Sequence, residues 1–258
     1  MRIPEPPATI KAIFFIPPVL TGLKTCILQL GYKNNILRQM KAILEFLEEL
    51  NMHNNREWFQ ANRERYESAK EKMLFMTGLL NQEIRKFDPE LPVLDPKTCL
   101  FRIYRDVRFS PDKRPYKTHF GSYLSKGGFK SNRAGYYFHI QPDENYIGGG
   151  IWMPPADVLK ALRTAIYDQP DAFLAILNDP GFKSYFPEIE GEKLKTAPKG
   201  FPPDFEQIDL LKPKSYAFGI NLTDAEVLDE GYIARAVAVF RELHKMNHFL
   251  NEALGQYL

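Results

Sequence analysis

Cysteine is scarce in this chain of 258 residues, which has only Cys26 and Cys99. The two are far apart and lack the spacing of a zinc ribbon or a redox pair, which argues against a disulfide framework or a structural metal. A reducing, cytoplasmic home fits that usage. An excess of one charge is also lacking, since 34 Lys and Arg face 32 Asp and Glu for a formal net charge of +2. So mild a balance does not support general affinity for nucleic acids or membranes, and any such partner must be read from local features. Long apolar runs are missing too. The stretch from Ala12 to Leu23 is broken by Pro17-Pro18, is too short to cross a bilayer, and lacks a small-residue cleavage site after it. No Walker loop, dinucleotide-binding glycine fingerprint or nucleophile elbow occurs, so the common nucleotide-binding and hydrolase classes lose their main sequence support.

What is present is an ordinary globular makeup, 44% hydrophobic and 26% charged, enough to bury one substantial core. Residues 1–39 differ from the rest by their prolines and by five Lys or Arg against a single Glu. They are expected to lie outside the folded domain, as a disordered extension or as sequence ahead of a true start at Met40, leaving residues 40–258 as one domain. From Met40, Ile43, Leu44, Leu47 and Leu50 share one helical stripe. A second, longer helix is expected to be capped by Asn54 with Glu57 and to carry Trp58, Phe59, Asn62, Tyr66, Ala69, Met73 and Leu80 at a period near 3.6. Its other side, with Arg56 among mixed charges, reads as solvated.

The pattern then changes period. Thr98–Arg105, His119–Ser125, Gly135–Gln141, Tyr146–Trp152 and Tyr216–Leu222 alternate as strands do. Because these strands cluster in mid-chain, the expected fold class is α+β, with a central antiparallel sheet of about five strands and helices packed mainly on one face. Tyr137, His139 and Gln141 should line a wet or functional sheet face. Gly148-Gly149-Gly150 marks a bend or a close approach. Pro154-Pro155 should open one helix, a short helix should follow over Asp171–Leu177, and residues 182–212 should wrap the surface. Thr223 with Glu226 makes a capping box ahead of a terminal helix over about Tyr232–Leu254.

Between the first two expected strands runs RIYRDVRFSPDKRPYK, in which Arg102, Arg105, Arg108, Lys113, Arg114 and Lys117 face Asp106 and Asp112, a local charge of +4. Such an excess is either an anion site or a lattice of internal ion pairs. As a site it would use Arg102, Arg105 and Arg108 as guanidinium forks, Lys113 as a point charge, and Asp112 and Tyr116 beside them. Alternation sends Arg105 to the apolar side, where it needs Asp106 or Asp112 as partner. His119, His139 and Asp106 are the candidates for acid–base work, against the alternative that the histidines are hydrogen-bonded sheet residues. His244 and His248 sit four apart on a helix but lack the Glu-x-x-His arrangement of metallohydrolases, so no metal and no cofactor is expected.

RIYRDVRFSPDKRPY, together with NNREWF at 54–59, YKTHFG at 116–121 and GGGIWMP at 148–154, resembles the signature of a bacterial conserved hypothetical family, domain of unknown function 2461. The likeness covers nearly all of the chain from Met40 onward. It implies a single domain of a little over two hundred residues and carries no activity with it. Two functions stay open: binding of a small anionic metabolite over the sheet, or an interaction module that presents the basic loop with Tyr104, Tyr116 and Trp152 to nucleic acid or protein. A concave pocket favours the first and an open basic stripe the second. No membrane partner is expected, and the oligomeric state is left open.

Overall fold

The computed structural model describes residues 21–257, with side chains from Ile36 onward. Four strands form one antiparallel sheet in the order of the chain: β1 (Phe120–Leu124), β2 (Gly135–Ile140), β3 (Asn145–Ile151) and β4 (Tyr216–Leu222). Eight helices accompany it among the described residues: α1 (Thr21–Met52), α2 (Arg56–Ala61), α3 (Arg63–Ile84), α4 (Ala156–Asp168), α5 (Pro170–Asn178), α6 (Pro180–Tyr185), α7 (Asp224–Val227) and α8 (Tyr232–Tyr257). The class is α+β, as the mid-chain clustering of strands implies. No helix among the described residues is long and apolar enough to cross a membrane.

The expected fifth strand over Thr98–Arg105 is not one. Phe101 N–H donates to the Gly121 carbonyl, whereas Lys117 N–H donates to the Ile103 carbonyl. The pairing therefore slips by two residues, and Thr118 and His119 are left without counterparts. Only the isolated bridges Leu100–Ser122 and Tyr104–Tyr116 remain of a ladder. Its alternation nevertheless persists locally, with Ile103 buried and Tyr104 exposed.

The second expected helix is also two. Asn62 (φ −107°, ψ 22°) lies outside helical geometry between α2 and α3, and its side chain donates to the Trp58 carbonyl. The cap falls one residue later than expected, because Asn55, not Asn54, accepts the Trp58 N–H. The helix expected to open at Met40 begins at Thr21, and Ile36, about one turn ahead of Met40, is buried in the core. Of the proposed extension, residues 1–20 lie outside the described residues.

Phe120, Ser122 and Leu124 of β1 share a sheet face with Tyr136, Phe138 and Ile140 of β2, which face Ile147 and Phe218 farther across the sheet. Phe46 of α1 reaches Phe120, Thr77 of α3 bonds Ser122 at 2.7 Å, and Phe240 of α8 meets the Tyr136 ring edge-on. Burial of these rings supplies the main driving force, on the order of 2–3 kcal/mol for each large apolar side chain removed from water. The triple glycine follows from this packing. A Cβ at Gly149 would strike Leu243 of α8 and the Gly135 carbonyl, and Gly150 has φ +92°, a conformation that favours glycine. The segment expected to wrap the surface also contributes to the core through Phe182, Phe186 and Leu211. The capping box at Thr223 and Glu226 is present and starts α7.

The opposite sheet face is aromatic and half-buried. Tyr146 donates to Glu190 at 2.7 Å, Tyr123 shares its one hydroxyl proton between the Arg133 and Gly150 carbonyls, and the Phe101 and Phe129 rings lie 5.3 Å apart beside Tyr137.

Candidate functional site

The basic segment leaves the slipped pairing at Arg105 and rejoins it at Tyr116, which fixes the loop at its two ends. Asn54 holds the second end. Its side-chain amide donates to the Tyr116 carbonyl at 3.0 Å and accepts the Tyr116 N–H at 3.1 Å, tying the loop to the turn before α2. The Tyr116 ring stacks on Phe59 at 3.9 Å, so the segment is anchored by both backbone and ring.

Within the loop, carboxylates and guanidinium groups sort into two sets. Asp112 accepts from Arg105 at 2.7 Å and from Arg114 at 2.9 Å, while Asp106 accepts from Arg108 at 2.6 Å. Both carboxyls are held below their ordinary range: Asp112 by hydrogen bonds from Arg114 and then Arg105, Asp106 by hydrogen bonds from Arg108. Arg105 is the less exposed arginine, at 24% against 76% for Arg108. It also donates to the Arg114 carbonyl and to Ser110. Of its five donors three are engaged, leaving two. Lys113 donates to the Val107 carbonyl, and Arg102 forms no ion pair among the described residues. Two carboxylates against six cations leave the local surplus of positive charge in place.

Beside this loop lies a cleft of about 330 Å³ lined by Arg56, Gln60, Tyr104, Arg105, Val107 and Tyr116, together with Pro115. Of the residues singled out in the sequence as ligand-binding, Arg105 and Tyr116 line it and Asp112 orients Arg105. Arg102, Arg108 and Lys113 do not line it. Arg56 and Gln60 come from α2, and sequence reasoning missed them because Arg56 sits among mixed charges that resemble a solvated helix face. The signal that pointed there was the motif piece Asn54 to Phe59, since Asn54 ties α2 to the loop. Tyr104 stands at one wall, 41% exposed, and accepts a hydrogen bond from Arg63 at 3.2 Å.

His119 and His139 lie 5.3 Å apart between ring centres, at the start of β1 and on β2. Burial, then His139 and Lys117, push His119 down to about 4, so it is neutral at physiological pH. His139 is lowered by burial as well. Its Nε2–H donates to the Glu144 carbonyl at 2.7 Å, and its Nδ1 accepts from Tyr137 at 3.1 Å. Both His139 nitrogens are thus occupied, and neither histidine lines the cleft. Asp106 is taken up by Arg108.

No curated protein and no solved structure matches this chain. The family model of a conserved hypothetical protein, DUF2461, matches residues 42–249, a span that runs from α1 through the Asn54 clamp, the basic loop and the sheet into α8. The chain belongs to that family.

Proposed function

We propose that this protein binds a small ligand bearing a phosphate or carboxylate group, held by Arg56 and Arg105 in the cleft walled by Tyr104 and Tyr116. The observation that supports it most is the state of Arg56. Its guanidinium is exposed, lines the cleft, and forms no ion pair among the described residues. Arg105 brings two unused donors from the other side, oriented by Asp112, which suits bidentate recognition of an anion. A volume of about 330 Å³ falls at the small end of metabolite pockets. The buried thiol of Cys99 suits a reducing cytoplasm as the setting.

A second reading rests on Phe109, which is 93% exposed at the loop tip with the Arg108 guanidinium 5.9 Å from its ring centre. A ring held in solvent beside cations is the arrangement that stacks a base of single-stranded nucleic acid or contacts a protein.

Thermal unfolding of the full chain with inorganic phosphate, phenyl phosphate, benzoate and an unstructured oligonucleotide separates the two. The cleft reading expects one of the small anions to raise Tm by several degrees at saturation, an effect lost in Arg56→Ala and kept in Phe109→Ala. Equal responses in the parent and Arg56→Ala overturn it. An oligonucleotide response lost only in Phe109→Ala establishes the second reading instead. The binding domain is proposed to be residues 40–258, so a chain beginning at Met40 should keep the ligand response and cooperative unfolding, giving up the Ile36 contact.

A further inference from the structure

At the far end of the β1–β2 pair from the basic loop, α8 and the loop after α3 bring a second group of polar side chains together. His248 and Glu252 of α8, four residues apart and on one helical face, meet Glu90, and one ligand atom from each lies within 4.8 Å of the others. His248 Nδ1 is 3.9 Å from Glu90 Oε1. One turn back, His244 has its ring centre 6.1 Å from that of His248. Two imidazoles on one ion have ring centres roughly 4.5–5.5 Å apart, given metal–nitrogen bonds of about 2 Å, so His244 closes on an ion held by the other three with a shift of about 1 Å.

The hydrogen bonds behind His244 decide which of its nitrogens is free. Tyr136 donates its hydroxyl proton to Asp88 at 2.7 Å, so its oxygen accepts from His244 Nδ1–H at 3.1 Å. That places the proton on Nδ1 and leaves Nε2 with its lone pair, without a hydrogen bond among the described residues. A histidine whose one N–H is held by a carboxylate-backed acceptor, with the other nitrogen open, is the arrangement that orients metal ligands.

A second observation points to an occupant. Asn247, 2% exposed, gives its Nδ2 to the Gly135 carbonyl, while its buried Oδ1 has no partner. It lines the same depression as Asp88, Glu90, His244 and His248, a space of about 20 Å³ with room for one water-sized group. A metal-bound water is a strong donor and would satisfy that oxygen. Lys126 and Arg133 line the same depression and oppose a cation, Asp88 and Glu90 balance them there, and Glu252 adds a third carboxylate beside His248.

We propose that Glu90, His248 and Glu252, joined by His244 Nε2, form a site for one divalent first-row transition-metal ion, with Asp88 and Tyr136 orienting His244 and Asn247 accepting from a metal-bound water. The mixed nitrogen and oxygen donors suit Zn²⁺ or Co²⁺ over Mg²⁺ or Ca²⁺. The site departs from the sequence expectation of no metal, because Glu90 is 158 residues before His248 and no local spacing joins them.

Chelator-stripped full chain is titrated with Co²⁺ and read by visible ligand-field absorption. One equivalent should bind, be displaced by Zn²⁺, and be unaffected by excess Mg²⁺. His248→Ala should weaken binding by at least ~100-fold, and Asp88→Asn, acting through His244, by about 10–100-fold. Because His248 is exposed, its variant is expected to fold, which the metal-free Tm checks. Arg56→Ala should bind Co²⁺ as the parent does, which keeps this site separate from the anion cleft. Absence of saturable absorption, or affinity unchanged in His248→Ala, overturns the proposal.

Discussion

At the Leu124–Tyr136 end of the β1–β2 pair Asp88, Tyr136 and His244 hold one another, whereas at the Phe120–Ile140 end positive groups crowd. Burial raises the Asp88 carboxyl, yet the nearby His244 ring and the hydrogen bond from Tyr136 outweigh it and hold the group below its ordinary value. At Lys117 and His119 of the other end nothing outweighs burial. Lys117 is lowered by burial and then by Arg102, and His119 by burial, His139 and Lys117, so both influences act in the same direction. The first end stabilises the fold through its charge; the second is held in spite of its charge. Such a positive surplus supports the reading that an anion belongs there, since ligand sites are where stability is given up.

The largest expected effect tests the crowded end. His119 has a folded value of about 4 against an ordinary 6.5, so the unfolded chain binds more protons in that window and stability is lost as pH is lowered through it. The loss should be full below about pH 4, amounting to roughly 3 kcal/mol at about 1.4 kcal/mol per pH unit. Urea midpoints for the parent and His119→Gln between pH 7 and pH 4 measure it, and the variant should be flatter. Equal slopes would show that the crowding costs nothing.

Next in size is the satisfied end. Tyr136→Phe removes the donor to Asp88 and the acceptor of His244, and should cost about 1–3 kcal/mol near neutral pH. Asp88 is depressed in the fold, so its contribution is present above its unfolded value and is lost as pH falls through its folded one. The difference between parent and variant should therefore shrink in strong acid. A difference independent of pH would mean that packing, and not the carboxylate, carries the effect.

The fold was largely legible because each true strand has one face on the core, which imprints a period of two, and the helices imprint 3.6. Thr98–Arg105 misled because it keeps that alternation while its partner slips by two residues, and a slip in pairing leaves no mark in the strand's own sequence. The loop's charge was legible, as was the direction of Arg105, whose partner proves to be Asp112 and not Asp106. Arg56 was not, since its setting depends on the Asn54 clamp across 62 residues. The Asp88–Tyr136–His244 group was hidden for the same reason: its members are 48 and 108 residues apart.

Asn54 gives an intermediate case that links the two kinds of order. Asn54→Ala leaves a half-buried N–H and carbonyl of Tyr116 without side-chain partners, for an expected loss of about 1–2 kcal/mol in urea unfolding. Because the clamp joins α2 to the loop, it should also weaken any anion response that Arg56 and Arg105 share. Loss of stability with the anion response intact would show that the cleft does not depend on the clamp.

The smallest effects compare two arginines in the basic loop itself. Arg105 is 24% exposed and bonds Asp112, Ser110 and the Arg114 carbonyl, so Arg105→Ala should lower stability by about 1 kcal/mol. Arg108 is 76% exposed and closes back on Asp106 two residues away, a pair whose attraction is screened by water and offset by side-chain entropy. Arg108→Ala should leave the urea midpoint unmoved. Adding phosphate sharpens the test: it should stabilise the parent and Arg108→Ala alike and fail to stabilise Arg105→Ala, because only Arg105 faces the cleft. If phosphate acts equally on all three, the loop's positive charge is a diffuse field; if it acts on none while Arg105→Ala is still destabilised, the loop is a structural ion-pair lattice and its surplus charge has no small anion to hold.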